Sequence, residues 1–331
     1  MKHRRANRGG TSRRELIQGG AAFIAVSSLT GGCSSRPSGR AVAPKDEIPK
    51  TDPNLVRYRQ SALVPAGVPS PRAVAVDPEG GLWIAGQGKA RCVRLNGMKV
   101  QQVTSFAFSG QAECLAADKT GLLIGAGNRV LSVAAPGGEA RTWTTLDKDS
   151  VITCISTDGL TVLVADAGKR RVLRYRLSGE SLDILCEKDD ASGYKGLIVP
   201  SPHLDAAIGA DGTIYVVNPG QHAIEVRGPD GNLQWSWGET SQDVEGFSGC
   251  CNPTDIALLP DGRFVTAEKG IPRVKIYDRQ GHFQCVVAGP EHLSAGVVGL
   301  DVAALADGRI AVLDPGIRAV RVFVPKEGGA S

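Results

Sequence analysis

At 331 residues and 42% apolar, the chain is long enough for one large or two ordinary domains and too apolar to default to disorder. Its 42 glycines and 19 prolines, with few aromatics and no long periodic helix after residue 30, point to an all-β protein with many turns. The formal charge of +4 is concentrated in Lys2, Arg4, Arg5, Arg8, Arg13 and Arg14. Without these and Glu15, 32 basic residues face 33 acidic ones, which leaves no electrostatic case for nucleic acid.

Residues 1–33 are read as an export signal. A basic segment leads into Ser12-Arg13-Arg14 with Leu16 and Ile17 behind, and the uncharged run 19–32 follows. The arginine pair resembles a twin-arginine signal; an ordinary secretory signal that happens to contain Arg-Arg is the alternative. The run is short for a membrane span. Cys33, followed by Ser34-Ser35, stands where a bacterial lipoprotein signal is cut and the new terminal cysteine acylated, although Thr30 occupies the place where leucine is usual and Leu29 sits one further back. Either Cys33 is lipidated or the signal is simply cleaved. Residues 34–53, polar and proline-rich, read as a flexible linker.

From residue 54 a repeat sets the fold. Turn glycines at Gly80, Gly121, Gly159, Gly212, Gly262 and Gly308 lie 41, 38, 53, 50 and 46 residues apart. Each precedes an apolar strand: LWIAG, LLIGAG, VLVAD, IYVVN, FVTAE and IAVLD. A third strand comes next, such as RRVLRY or PRVKIY, and most units then turn again. The fullest copy is Asn252 to Gly281, in which RVKIYD is expected to alternate inward and outward.

This pattern resembles the NHL repeat over nearly all of residues 67–324, most closely in LVADAGKRRVLRYRLSG (163–179) and in Asn252 to Gly281; the second unit, with Gly127 where the family usually has Asp, is the weakest. The resemblance implies a six-bladed β-propeller, and the count of six units agrees with it. The last unit ends at Phe323-Val324, one strand short, and the alternating stretch 55–64 is expected to supply the missing outer strand and close the ring. The propeller is thus placed at 54–325, with 326–331 as a tail.

In a propeller the first strand of each blade lines the central channel. A column seven residues before each turn, counted in the irregular third unit from Leu160, holds Ala73, Cys114, Thr153, Asp205, Asp255 and Asp301, so three consecutive blades carry a carboxyl group there. Three carboxylates at close range must be solvated, partly protonated or bound to a cation such as calcium; alternatively each caps a loop by accepting backbone N–H groups. A second column, Gly86, Gly127, Asp166, Asn218, Glu268 and Asp314, is read as structural, its polar members bonding the following loop.

Cys250-Cys251 is the least ordinary feature. The doublet falls on the crossover between blades 4 and 5, with His203 and His292 in the equivalent loops of neighbouring blades, from which they could converge near Asp205 and Asp255. Three readings stand: disulfides or plain packing, ligands to a transition metal, or a redox-active thiol pair. Without Cys33 seven cysteines remain, an odd number; Cys114 and Cys154 fall in adjacent first strands. Trp235 and Trp237 read as packing residues between blades; the alternative is an exposed pair that binds sugar or quinone rings. No nucleophile elbow, HExxH, phosphate loop or CxxCH is present.

The sequence therefore reads as an exported, membrane-tethered propeller of the periplasmic or extracytoplasmic space, a binding or assembly module for a protein partner or small ligand on one face. Two alternatives remain. One is an electron-transfer or metal-binding accessory protein using the cysteine doublet. The other, for which related six-bladed propellers give precedent, is a metal-dependent lactonase- or lyase-like enzyme using Asp205, Asp255 and Asp301. No cofactor is identified by the sequence.

Overall fold

The structure, a computed structural model, describes residue 48 and residues 50–326, apart from 98 and 135–137. The signal with Arg13, Arg14 and Cys33, most of the linker, and the tail after residue 326 lie outside the described residues.

Among the described residues, 24 strands form six four-stranded antiparallel sheets. Five are consecutive meanders. The recurring turn glycine has a conformational cause: Gly80, Gly212, Gly262 and Gly308 take φ between 79° and 83°, which costs a side-chain-bearing residue energy and glycine almost none. The fold is a six-bladed β-propeller.

First strands are short and, apart from Leu115 and Leu258, built from small or β-branched residues: Ala73–Val76, Cys114–Ala117, Ile152–Thr157, Ala206–Ile208, Asp255–Leu258 and Asp301–Ala304. Each packs sideways on the first strands of both neighbours, the sixth returning to the first, so the ring is closed around a central axis. Crowding near that axis explains the small side chains.

The last blade is completed from the start of the domain. Tyr58–Pro65 lies outside and antiparallel to Ala319–Pro325, pairing Tyr58 with Pro325 and Pro65 with Ala319. Just before it, Arg57 N–H donates to Val286 of the fifth blade at 3.1 Å. The backbone groups of Ala319–Pro325 that would form an open edge are thereby paired.

Packing between blades supplies the core. Leu163 and Ala165 of the third blade cluster with Ile214 and Val216 of the fourth. Trp237, on the outer strand of the fourth, has its ring 5.1 Å from that of Phe264 and 4.8 Å from that of Tyr277 in the fifth. Apolar burial of this kind contributes about 25 cal/mol per Å².

One expectation fails. Arg273–Tyr277 does not alternate, because all five residues are buried. Residues 238–250 lie over the polar side of the strand: Lys275 Nζ donates to the carbonyls of Val244 (2.9 Å) and Gly246 (2.6 Å) and sits 2.8 Å from Glu268 Oε1, while Tyr277 O–H donates to the Glu245 carbonyl at 2.8 Å. Ala223–Arg227 is buried throughout as well, and there Tyr194 O–H donates to Glu225 at 2.9 Å. The extra residues in the two longest repeat intervals are the covers of these two strands.

Candidate functional site

The first strands enclose a channel of about 1030 Å³. Asp205, Asp255 and Asp301 all line it, as expected for adjacent blades. Two of them join blades. Asp205 accepts from Ala206 N–H at 2.8 Å and, across the blade boundary, from Ile256 N–H at 2.6 Å. Asp301 accepts from Val74 N–H at 2.6 Å, tying the last blade to the first. Backbone capping, one of the two readings open from sequence, therefore describes Asp205 and Asp301.

Asp255 lies between them and interacts with both carboxyl groups. Carboxyl groups this close to one another cannot all ionise easily. Burial, and then the charges of Asp205 and Asp301, push the Asp255 carboxyl well above its ordinary value. Burial pushes Asp301 up to about 7, against hydrogen bonds from Asp255 and Val74. Burial also raises Asp205, against donors that include Cys154, Ile256 and Asp255. The three titrate as a set, and Asp255 is the member that the charges of both others push upward.

This donor set does not suit a hard cation. Both Asp205 oxygens already accept N–H groups, so a cation there would compete with backbone donors. Among the described residues no three His, Cys, Asp or Glu side chains form a group that could hold a metal ion.

In the third blade a bulge between Ile152 and Cys154 places Cys154, not Thr153, opposite Ala165, the partner equivalent to that of Asp255. Cys154 Sγ donates to the Ala206 carbonyl at 3.2 Å, and Thr153 Oγ1 donates to that of Leu204 at 2.6 Å, so both hold the third blade to the fourth.

The channel mouth beside the carboxyl set is polar on part of its rim. Arg72 pairs with Glu113 at 2.6 Å, and Arg318, His203 and Val298 also border the channel, Val298 being 56% exposed. Burial, reinforced by the charge of Lys269, holds His203 down at about 4, so it is neutral at pH 7. His292 does not converge with it: its Nδ1 lies 3.1 Å from Glu291 and accepts from Gly289 N–H.

The second column proves to be a set of two-way ties. Asp166 accepts from Val151 N–H (3.0 Å) and Lys169 N–H (3.2 Å); Asp314 accepts from Ser294 N–H and Gly316 N–H, both at 3.1 Å. Each thus holds the loop before its blade as well as the loop after, and each bonds an arginine of the third strand, Arg171 or Arg321. Asn218 and Glu268 bond the preceding loops through Ile198 and Ser248. In the second blade the register puts Ala126, not Gly127, at this position, because Cys114 pairs with Gly125.

The cysteine doublet forms a separate cluster. All seven cysteines among the described residues are unpaired, so the structure contains no disulfide of the kind weighed from sequence. Cys250 is exposed and Cys251 buried, with their Sγ atoms 3.3 Å apart. Ser201 Oγ donates to Cys251 Sγ at 3.2 Å, and Lys269 Nζ donates to Ser201 Oγ at 2.7 Å. Ser201 and Lys269 were not legible as site residues. Lys269 follows a second-column residue and Ser201 sits in a long crossover, so only the contacts reveal them. Of the two tryptophans, Trp237 is buried in the packing described above, while Trp235 is 39% exposed.

No protein-family model matches the chain, and no curated protein matches it. Solved structures are similar. The WD40 β-propeller domain of Doa1 aligns at 15% identity and a TM-score of 0.55, covering 83% of this chain and 99% of that one. A structural genomics protein of unknown function from Bacteroides thetaiotaomicron VPI-5482 aligns at 15% identity and 0.57, covering 85% and 73%. A streptogramin B lyase aligns at 12% identity and 0.56, covering 81% and 98%. At such identities the likeness shows the propeller fold alone.

Proposed function

We propose that the chain is an exported, membrane-tethered propeller of NHL type that binds a protein partner or small ligand at the carboxyl-lined mouth of its channel. The observation that carries the binding assignment is the 1030 Å³ channel in which Asp255, its carboxyl raised by burial, lies between two carboxyl groups that are already fixed to backbone. Concave sites with a few convergent polar groups and perturbed ionisation are where ligands bind. Asp255 presents its carboxyl group to the channel, and Arg72, Glu113 and Arg318 offer charge at the rim. Export and tethering rest on Arg13-Arg14, the uncharged run 19–32 and Cys33.

The test is photo-crosslinking in the native host from a diazirine-bearing residue at Val298, on the channel mouth, or at Leu160, 77% exposed in the hairpin turn at the opposite end of the first strand. Adducts from position 298 and none from 160 are expected. Equal labelling, or labelling from 160 alone, contradicts the assignment. Loss of the membrane-bound fraction in Cys33→Ser tests the tether.

A further inference from the structure

The cluster at Cys250 and Cys251 is used by neither the channel nor the packing of the blades, and its order is specific. Lys269 Nζ donates to Ser201 Oγ (2.7 Å), Ser201 Oγ donates to Cys251 Sγ (3.2 Å), and Cys250 Sγ lies 3.3 Å from Cys251 Sγ at the surface. A serine hydroxyl polarised by an ammonium group is thus directed at a buried sulfur, and the one solvent-accessible thiol of the pair touches that same sulfur. We propose that Cys250 and Cys251 form a dithiol site that exchanges with an accessible disulfide, Cys250 making the first bond and Cys251 closing the pair.

Several independent features carry this. A thiolate needs donors, and Cys251 has Ser201 and Cys250. Burial pushes the Cys251 thiol up, but the hydrogen bonds from Ser201, Lys269 and Cys250 and the charge of Lys269 outweigh it, so Cys251 lies below the ordinary thiol range. Cys250 is raised by its hydrogen bond to Cys251 and by that sulfur's negative charge, which makes it the proton-bearing partner. The buried cysteines Cys92 and Cys285 are held at about 11 by burial. Among the described residues, only the doublet combines an exposed thiol with a neighbouring thiol shifted downward.

The chemistry balances. Cys250 S–H gives its proton to the Cys251 thiolate as its sulfur attacks one sulfur of R–S–S–R, forming Cys250–S–S–R and releasing RS⁻. Cys251 then loses that proton to solvent or to RS⁻ and attacks the Cys250 sulfur, releasing the second RS⁻. Two thiols of the protein are oxidised, one disulfide is reduced to two thiols, and no other oxidant is needed. The reverse sequence reduces the pair. The loop that supplies Ser201 also supplies His203 to the channel wall, so the dithiol adjoins the proposed binding mouth without sharing its groups.

The test uses the folded full-length protein, reduced and then exposed to oxidised glutathione or, in a second arm, to insulin as a protein disulfide. The peptide spanning Cys250 and Cys251 is expected to become two hydrogens lighter, and Cys251→Ser is expected to trap a mixed disulfide at Cys250. Lys269→Met and Ser201→Ala, each checked for native circular dichroism, are expected to slow closure about tenfold or more, the effect of one pKa unit on the thiolate. Reaction with glutathione alone assigns a small-molecule disulfide, and reaction with insulin as well assigns a protein one. Wild-type protein that stops at the Cys250 mixed disulfide, or closure at an unchanged rate in both Lys269→Met and Ser201→Ala, overturns the proposal. Crosslinking from Val298 involves none of these residues, so the two tests fail independently.

Discussion

Asp205 of the fourth blade holds the backbone N–H of Ile256 in the fifth, oxygen to nitrogen at 2.6 Å. Asp301 does the same for Val74 across the junction between last blade and first. Asp205→Ala leaves a buried N–H without its acceptor and is expected to cost about 1–3 kcal/mol. Asp205→Asn, which keeps an acceptor oxygen, should cost less. Thermal unfolding of the two variants checks this order, and a wild-type midpoint for Asp205→Ala would contradict it.

The carboxyl set makes stability depend on pH. Asp301 is raised to about 7 when folded, against about 3.9 when unfolded, so the folded state binds the extra proton between those values. Its contribution is fully present below the unfolded value and is lost as pH rises through about 7. His203 runs the other way. Lowered to about 4, it contributes stability that is lost as pH falls toward that value. The two oppose each other below the ordinary histidine value of about 6.5, and above it the histidine no longer contributes a slope. The midpoint is therefore expected to fall as pH rises from 6.5 through about 7, by roughly 2–4 °C per kcal/mol in a domain of this size. Asp255→Asn should flatten that slope and raise the midpoint at pH 8; an equal slope in the variant would refute the assignment.

Ring closure by the first strand predicts a sharp boundary in truncations. Removing residues through 49 should leave a folded monomer. Removing residues through Pro65 uncovers the edge of Ala319–Pro325 and should give aggregation or loss of cooperative unfolding. Size-exclusion chromatography with a denaturant melt separates these outcomes, and a stable monomer from the longer deletion would show that the closure is dispensable.

The two tryptophans are expected to behave differently. Trp237→Ala opens a cavity between Phe264 and Tyr277 and should cost about 3–5 kcal/mol. Trp235, part-exposed, should cost far less on the same change. Gly281→Ala is expected to be destabilising too, because φ there is +82° and a methyl would meet the Trp237 ring. Equal urea midpoints for Trp235→Ala and Trp237→Ala would overturn this reading.

The propeller was legible because its signal repeats. A turn glycine with positive φ every 38 to 53 residues is imposed by backbone sterics, and Asp205, Asp255 and Asp301 inherit their common place in the channel from that count. What the repeat could not show is what lies between its copies. Lys275 breaks the alternation of its strand because residues 238–250 cover it, and a one-residue bulge moves Cys154 into the place expected for Thr153. The upward shift of the Asp255 carboxyl depends on burial and on two carboxyl groups from neighbouring blades, and the relay to Cys251 on Ser201 and Lys269, 50 and 18 residues away in sequence. Contacts at such separations leave no local pattern.

The most direct measurement is a carbon-13 NMR titration of the aspartate side-chain carboxyls, with Asp255→Asn, Asp205→Asn and Asp301→Asn to assign the signals. The account predicts that Asp255 keeps its proton through pH 7 and that Asp301 titrates near 7, its curve changing when Asp255 is replaced. Three carboxyls that each ionise near the ordinary value of about 3.9, independently of one another, would contradict it and leave the channel mouth without its acid.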